Sequence, residues 1–147
     1  MLFEGAVEAP VTPEHFYAFV TNPAKIISIL PDVEESKVLD PAHFTIRSKV
    51  GMSYIKGAVS MKFEIAEKRK DEFVRMVGRG QGVQSTVDLT MAITLEGSGK
   101  STKASWSAEA KVGGLLASVG SRLIGSVAEK YVKEITETLR QKVSASR

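Results

Sequence analysis

Apolar and polar residues alternate along most of the chain, with the period of a half-buried β-strand. The clearest run is Val83 to Glu96, and a second, Thr102 to Val112, follows the turn at residues 97–100. Further strand-like runs lie at residues 2–9, 33–39, 44–50, 54–67 and 73–82. Consecutive strands with short connections pair antiparallel, because a parallel pair needs a crossover of about a dozen residues or more. The pattern predicts an antiparallel sheet of about seven strands.

Two short helices are predicted directly after the first strand. Thr12 and Asn22 each stand before a proline, which is the order of an N-cap residue followed by a first helical residue. The apolar positions after each proline fall on one helical face. We expect the second helix to end at Leu30-Pro31-Asp32.

The stretch from Val112 to Val143 has apolar residues at steps of three and four. It predicts one α-helix that follows Gly113-Gly114 and has about 29 residues, roughly 43 Å in length. The stripe comprises Leu116, Val119, Leu123, Val127, Tyr131, Ile135 and Leu139. A sheet with one apolar face needs a cover, and this helix matches it in length. The sequence therefore predicts an α+β fold, with a curved antiparallel sheet around a long C-terminal helix. We expect residues 1–147 to form one domain.

Composition excludes some kinds of site. The chain has no cysteine, so it has neither disulfides nor thiolate metal ligands. Its net charge of +3 is too small to indicate nucleic-acid binding, although nine basic and four acidic residues lie from Lys100 onward. That bias fits an anionic membrane surface, an acidic partner or simply a solvated helix face. With no signal peptide and no apolar run long enough to cross a bilayer, we expect a cytoplasmic protein, at most peripheral to the membrane.

Motifs for catalysis, cofactor binding or metal binding are weak. Gly97-Ser98-Gly99-Lys100 resembles part of a phosphate-binding loop, but a strand follows it where a helix is required. The glycines at 78, 80 and 82 likewise lie in a strand, where they predict bulges or bends. His15 and His43 lack partners at metal-binding spacing and are expected at the surface. We therefore predict no catalytic residue, no cofactor and no metal.

The remaining candidates are apolar. Methionines and aromatic residues are predicted to face the long helix, and methionine adapts to irregular apolar surfaces. Small residues cluster at the predicted helix start, and Gly120 and Gly125 are among them. Each glycine weakens a helix by about 1 kcal/mol relative to alanine, and open volume for a ligand or close packing would offset that loss. We predict an opening beside Gly120. The predicted ligand-binding residues are Leu30, Tyr54, Met61, Phe63, Val87, Met91, Trp106, Leu116, Val119, Gly120 and Leu123.

The segment from Ala110 to Leu123 resembles the signature at the start of the C-terminal helix in the CoxG family of carbon-monoxide dehydrogenase subunits, within the START-like (SRPBCC) helix-grip superfamily. Weaker similarities extend along nearly the whole chain: Phe3-Glu4-Gly5, Asn22-Pro23, Leu30-Pro31, Val50-Gly51, the strand with three glycines and the strand from Thr102 to Val112. The family commonly has Cys-Ile-Pro-Gly where this chain has Ile-Leu-Pro-Asp at residues 29–32.

This resemblance implies a seven-stranded sheet gripping the helix, with an elongated apolar cavity between them. It also implies an accessory protein of a molybdenum hydroxylase of the carbon-monoxide dehydrogenase type, connected with membrane recruitment or electron transfer. The leading hypothesis is a non-enzymatic protein that holds a hydrophobic small molecule such as a lipid or an isoprenoid quinone. One alternative is a cyclase- or hydrolase-like enzyme that uses a polar pair in the same cavity. The other is a protein-interaction module with a closed core.

Overall fold

The computed structural model describes residues 1–146, without the side chain of Ser98. Seven strands form one antiparallel sheet in the order β1-β7-β6-β5-β4-β3-β2. The strands are β1 (Leu2–Ala9), β2 (Val33–Asp40), β3 (His43–Met52), β4 (Ile55–Arg69), β5 (Phe73–Gly82), β6 (Ser85–Ser98) and β7 (Ser101–Gly114). Each strand from β2 to β7 pairs with the next along the chain, while β1 pairs with β7. The predicted antiparallel sheet is confirmed.

Helices α1 (Pro13–Val20) and α2 (Pro23–Ile29) follow β1 and begin as the sequence predicts. The Thr12 hydroxyl accepts a hydrogen bond from the backbone N–H of His15 at 3.1 Å. The Asn22 side-chain oxygen accepts from two backbone N–H groups, at 3.0 and 3.3 Å. These side chains satisfy donors that a helix start otherwise leaves unpaired, which fixes both helix starts.

The long C-terminal helix begins later than predicted. Strand β7 continues to Gly114, a 3₁₀-helix follows at Leu115–Val119, and α3 spans Ser121–Ala145, 25 residues or about 37 Å. Gly114 and Gly120 have φ angles of +79° and +94°, which only glycine adopts readily, and each interrupts a regular element. The prediction of a single α-helix after Gly113-Gly114 is therefore wrong over its first part, because residues Leu115–Val119 form a 3₁₀-helix.

The core lies between the inner face of the sheet and the three helices. Phe16 of α1, Phe44 of β3 and Leu116 of the 3₁₀-helix are almost completely enclosed. The C-terminal end of α3 is fixed by polar contacts: His15 Nε2 lies 3.1 Å from the Val143 carbonyl oxygen, and Lys142 Nζ donates to the Ser28 carbonyl oxygen at 2.7 Å. Both short helices are thus tied to the end of α3.

The glycines of β5 make room for side chains and do not form bulges. Strands β4 and β5 stay in register through Gly78 and Gly80, and the irregularity in their pairing falls between Ile65 and Glu67. A Cβ atom on Gly78 would lie 2.5 Å from the Phe63 ring. Of the predicted bulges or bends, a bulge is therefore wrong at Gly78 and Gly80, because these residues face the large side chains of Phe63 and Met61 across the ladder.

Candidate ligand-binding cavity

A cavity of about 160 Å³ lies between the inner face of the sheet and helices α1, α2 and α3. Its floor is continuous across neighbouring strands, because Met76 pairs with Met91 and Ile93 pairs with Trp106. Phe63 of β4 and Leu89 of β6 extend the floor by one row. Val7 of β1 and Phe44 of β3 also line the cavity, so the floor is an apolar surface built from six strands, β1 and β3 to β7.

Three helices form the roof, and α1 contributes its last residue, Val20. Helix α2 contributes Ile26, Ile29 and Leu30, the last being its C-cap residue. Helix α3 contributes Val132, Ile135, Thr136 and Leu139, which follow one another at steps of three, one and three and so lie on one side of the helix. The cavity therefore lies beside the C-terminal half of α3.

The size of the cavity exceeds an ordinary packing defect. Native interiors have few voids larger than one water molecule. An engineered apolar cavity of about 150 Å³ in another protein stays dry and binds benzene. Leu89, Met91 and Ile93 remain only partly buried, although their strand lies in the middle of the sheet and Leu95 on the same face is buried. The cavity volume of about 160 Å³ is therefore close to the volume that holds one six-membered ring.

The aromatic part of the floor is held rigidly. The rings of Phe44 and Phe63 are stacked, with centroids 5.0 Å apart and an angle of 16° between their planes. Gly78 faces the Phe63 ring and leaves the space that this ring occupies. Aromatic pairs of this kind add about 0.5–1.5 kcal/mol beyond the area they bury.

The lining has very few polar groups. The Thr136 hydroxyl donates within its own helix, to the Val132 carbonyl oxygen at 2.8 Å. The indole Nε1 of Trp106 is buried and has no hydrogen-bond partner. Among the described residues, the lining has no Asp, Glu, His, Lys, Arg or Tyr side chain. The cavity therefore favours an uncharged, largely apolar occupant, because an unpaired buried charge is strongly unfavourable.

A polar contact next to the roof joins α3 to the turn after α2. The Tyr131 hydroxyl lies 3.5 Å from Asp32 Oδ2. Burial, and then the negative charge of Asp32, raise the pKa of Tyr131 above its ordinary value of 10.0. The phenol therefore stays neutral at physiological pH and can donate to the carboxylate.

The titratable cluster around His43 lies at the β2–β3 turn and not at the cavity. His43 Nδ1 is 2.8 Å from Asp40 Oδ1, and Nε2 is 3.2 Å from Glu64 Oε2. The hydrogen bond with Asp40 and then that with Glu64 raise the pKa of His43, while the bond with His43 lowers the pKa of Asp40. Over residues 1–146, no group of three or more His, Asp or Glu side chains is arranged to hold a metal ion.

A larger hollow lies on the outer face of the sheet, with a volume of about 1050 Å³. It is open to solvent, and its walls include Lys62, Arg79 and Asp88. Arg79 and Asp88 form an exposed ion pair at 3.6 Å. Binding to a solvated, charged surface of this kind removes little apolar surface from water, so it would give a hydrophobic molecule little binding free energy. We therefore take the smaller apolar cavity as the candidate site.

Four of the predicted ligand-binding residues line this cavity: Leu30, Phe63, Met91 and Trp106. Met61 and Val87 lie on the same sheet face, in the neighbouring row towards the 3₁₀-helix. Leu116 and Val119 belong to the 3₁₀-helix, Gly120 lies between that helix and α3, and Leu123 lies at the start of α3; these four residues are outside the lining. Tyr54 lies in the β3–β4 turn and is 75% exposed, so the expectation that it faces the helix is wrong. The role of all eleven in ligand binding stays a prediction.

Several lining residues were not predicted. Leu89 and Ile93 share the alternation that identified Met91, so that signal could have found them. Ile26 and Ile29 are apolar positions of a helix that was itself correctly predicted. Their place over the cavity depends on how α2 packs across the sheet, which no local pattern records.

Comparison with known proteins agrees with this architecture. A model of the CoxG family of carbon monoxide dehydrogenase subunits matches residues 5–144. This chain belongs to the CoxG family. A search of curated protein sequences gives no match.

Solved structures similar to this CoxG family member have the same fold. A conserved protein from Geobacillus kaustophilus matches with a TM-score of 0.87 and 18% identity, over 99% of this chain and 97% of that one. A START superfamily protein from Mycobacterium smegmatis matches with a TM-score of 0.74 and 12% identity, over 99% of both chains. The Zhui aromatase/cyclase from Streptomyces sp. R1128 matches with a TM-score of 0.67 and 9% identity, over 97% and 93%. These matches confirm the predicted START-like fold.

No helix within residues 1–146 of this CoxG family member is both long and apolar enough to cross a membrane.

Proposed function

We propose that this protein binds one uncharged hydrophobic molecule between the sheet and α3 and acts as a non-enzymatic accessory protein. The observation that carries the proposal is the apolar cavity of about 160 Å³. Membership of the CoxG family and the START-like fold support a ligand-binding accessory role.

The size of the cavity limits what fits without movement. Pockets for drug-sized ligands usually have about 300–1,000 Å³, so this one takes a single ring or a short apolar segment. A lipid or an isoprenoid quinone fits only if α2 or α3 moves away from the sheet. Met76 and Met91 aid such adaptation, because their side chains are unbranched and rotate easily. The proposal therefore includes widening of the cavity on loading.

The proposed partner is a molybdenum hydroxylase of the carbon-monoxide dehydrogenase type, which this protein would connect to the membrane. The family name supports the enzyme partner. The basic excess from Lys100 onward supports contact with an anionic membrane surface, because lysine and arginine near such a surface each contribute about 1 kcal/mol.

Catalysis is the second candidate, because an aromatase/cyclase shares the fold. A cyclase-like mechanism needs positioned acid and base groups in its cavity. The described lining includes Thr136, whose hydroxyl donates within its own helix, and Ser107, whose side chain alternates to the other face of β7. It has no titratable side chain, which favours binding over catalysis. A closed interaction module is disfavoured by the cavity itself.

The test is to purify the protein from its native host, extract it with organic solvent and identify any lipid or quinone by mass spectrometry. We expect a stoichiometric apolar molecule and a rise in melting temperature when it is added back. Absence of both results would contradict the proposal.

Matched variants on β6 localise the binding. Ile93→Trp places a ring in the cavity, whereas Thr94→Trp places it on the outer face of the same strand. We expect only Ile93→Trp to lose the bound molecule, with both variants keeping the circular dichroism spectrum of the parent. Equal loading of the two would show that the ligand lies elsewhere.

A further inference from the structure

Trp106 is the one tryptophan of the chain, and it lines the apolar cavity. Its indole Nε1 is buried without a hydrogen-bond acceptor. Buried donors of this kind are uncommon, and leaving one unpaired is unfavourable. An unpaired donor beside an apolar cavity indicates that the acceptor arrives with the ligand.

Nothing in the immediate surroundings supplies that acceptor. Trp106 lies opposite Gly5 on β1, and the position of a Gly5 Cβ would be 3.0 Å from Nε1. The indole thus occupies the space left by the missing side chain of Gly5. The neighbouring Ser105 and Ser107 alternate to the other face of the strand, so their hydroxyls point away from the indole.

The other polar group of the lining cannot take the same role. The Thr136 hydroxyl already donates to backbone carbonyl oxygens of α3, at 2.8 and 3.2 Å. Among the described residues of the lining, the Trp106 N–H is therefore the free side-chain donor. No cationic side chain is present in that lining to balance a carboxylate or phosphate, so the acceptor on the ligand must be uncharged.

We propose that Trp106 donates a hydrogen bond from Nε1 to an uncharged oxygen acceptor, of the carbonyl type, on an otherwise apolar ligand. This inference rests on the proposed function, since it assumes that the cavity takes a ligand. Nε1 is enclosed, so the indole turns about its two side-chain torsions when the acceptor arrives. Trp106 then selects ketones, quinones or esters over pure hydrocarbons, and the lack of a cationic side chain in the described lining disfavours fatty-acid carboxylates.

The first experiment compares acetophenone with α-methylstyrene, which has the same shape but a CH₂ group in place of the carbonyl oxygen. Calorimetry gives the affinity of each probe for the parent protein and for Trp106→Phe. Losing one neutral hydrogen bond corresponds to about a five- to tenfold change in affinity. We expect Trp106→Phe to weaken acetophenone by that factor and to change α-methylstyrene by less than about twofold.

Tyr131→Phe is the matched control, because it also removes one aromatic-ring donor but lies outside the lining. We expect it to leave both affinities unchanged. Equal effects of Trp106→Phe on the two probes overturn the donor role while leaving the proposed function standing. If neither probe binds the parent protein, the proposed function fails and this inference fails with it.

A second measurement needs no variant. A chain with one tryptophan gives one indole N–H signal in a ¹H–¹⁵N spectrum. We expect acetophenone to move its proton resonance downfield, as a new hydrogen bond does, and α-methylstyrene to leave it without that shift. The same downfield shift with both probes overturns the inference.

A final arm separates two sources of the carbonyl. Tetramethylbenzoquinone presents it on a ring, and methyl hexanoate presents it as an acyl ester. A downfield shift with either compound supports the donor role, and the tighter of the two identifies the source as quinone-like or lipid-like. A charged analogue, hexanoate, is expected not to bind; binding of hexanoate as tightly as its ester overturns the selection for uncharged acceptors.

Discussion

Ala108 offers a direct way to fill the cavity with protein atoms. It lies on β7 opposite Met91, is 8% exposed and lines the cavity. The cost of an empty cavity is about 24 cal/mol per Å³, so about 160 Å³ corresponds to roughly 4 kcal/mol of stability that the unloaded protein lacks. A larger side chain at position 108 should recover part of that deficit.

The change we propose is Ala108→Ile, which adds three carbon atoms and suits a strand. Burying three carbons contributes about 2.4 kcal/mol, and ordering the side chain costs about 0.5–1 kcal/mol. We therefore expect the free energy of unfolding to rise by about 1.5 kcal/mol, or about 5 °C in melting temperature. Urea denaturation would show a higher midpoint with an unchanged slope.

Ala92→Ile is the control, because Ala92 lies on the neighbouring strand β6 but on the outer face of the sheet. It should change stability by no more than about 0.5 kcal/mol. Ala108→Ile should also abolish the stabilisation that an added apolar ligand gives to the parent protein. If Ala108→Ile destabilises the protein while Ala92→Ile does not, the space at Ala108 is absent and the reasoning is refuted.

Four further substitutions test other parts of the structure by urea denaturation. Gly125→Ala should stabilise α3 by about 0.5–1 kcal/mol, because the new Cβ meets open space. Gly78→Ala should destabilise the protein by about 1–3 kcal/mol, because the new Cβ would lie 2.5 Å from the Phe63 ring. A change of the same sign in both variants would contradict this explanation. The pKa of His43 is raised, so the stability that this residue contributes is full below its ordinary pKa of 6.5 and is lost as the pH rises through its folded-state pKa. The urea midpoint of the parent protein should therefore decrease as the pH is raised from about 5 to 8, and it should decrease less in Asp40→Asn. Ser85→Ala leaves the buried backbone N–H of Leu116 unpaired and should lower the free energy of unfolding by about 1–3 kcal/mol. Hydrogen exchange at the Leu116 N–H should become faster, and unchanged exchange would count against this prediction.

Local patterns predicted the elements well, because the signals that form them are local. Thr12 and Asn22 cap their helices through side-chain oxygens two or three residues away, so the sequence alone contains the interaction. The alternation along β6 likewise separates the two faces of the sheet, and it correctly placed Met91 on the inner face.

The start of the long helix could not be predicted in this way. A 3₁₀-helix also places apolar residues at steps of three, so Leu116 and Val119 fit the stripe of an α-helix equally well. The actual boundary is set by the pairing of Gly114 with Ser85 and by the hydrogen bond from the Leu116 N–H to the Ser85 hydroxyl at 2.8 Å. Both contacts join residues about thirty positions apart, which periodicity does not detect.

The position of the cavity was missed for a related reason. Alternation shows which side chains face the helix, but not which rows of the sheet the helix leaves uncovered. Met61 and Val87 therefore looked equivalent to Phe63 and Met91, yet only the latter two line the cavity. The difference arises from the way α2 and α3 cross the sheet.

The pairing of β1 with β7 influences the order in which parts of the protein fold. Every other pair in the sheet joins neighbours in the chain, whereas Leu2 lies opposite Glu109. Contacts between distant segments form late, because closing a long loop costs entropy before any contact rewards it. During synthesis β1 therefore cannot pair until β7 has been made, and α3, which covers the cavity, follows β7 in the chain. We expect the candidate cavity to be the last part of the protein to assemble.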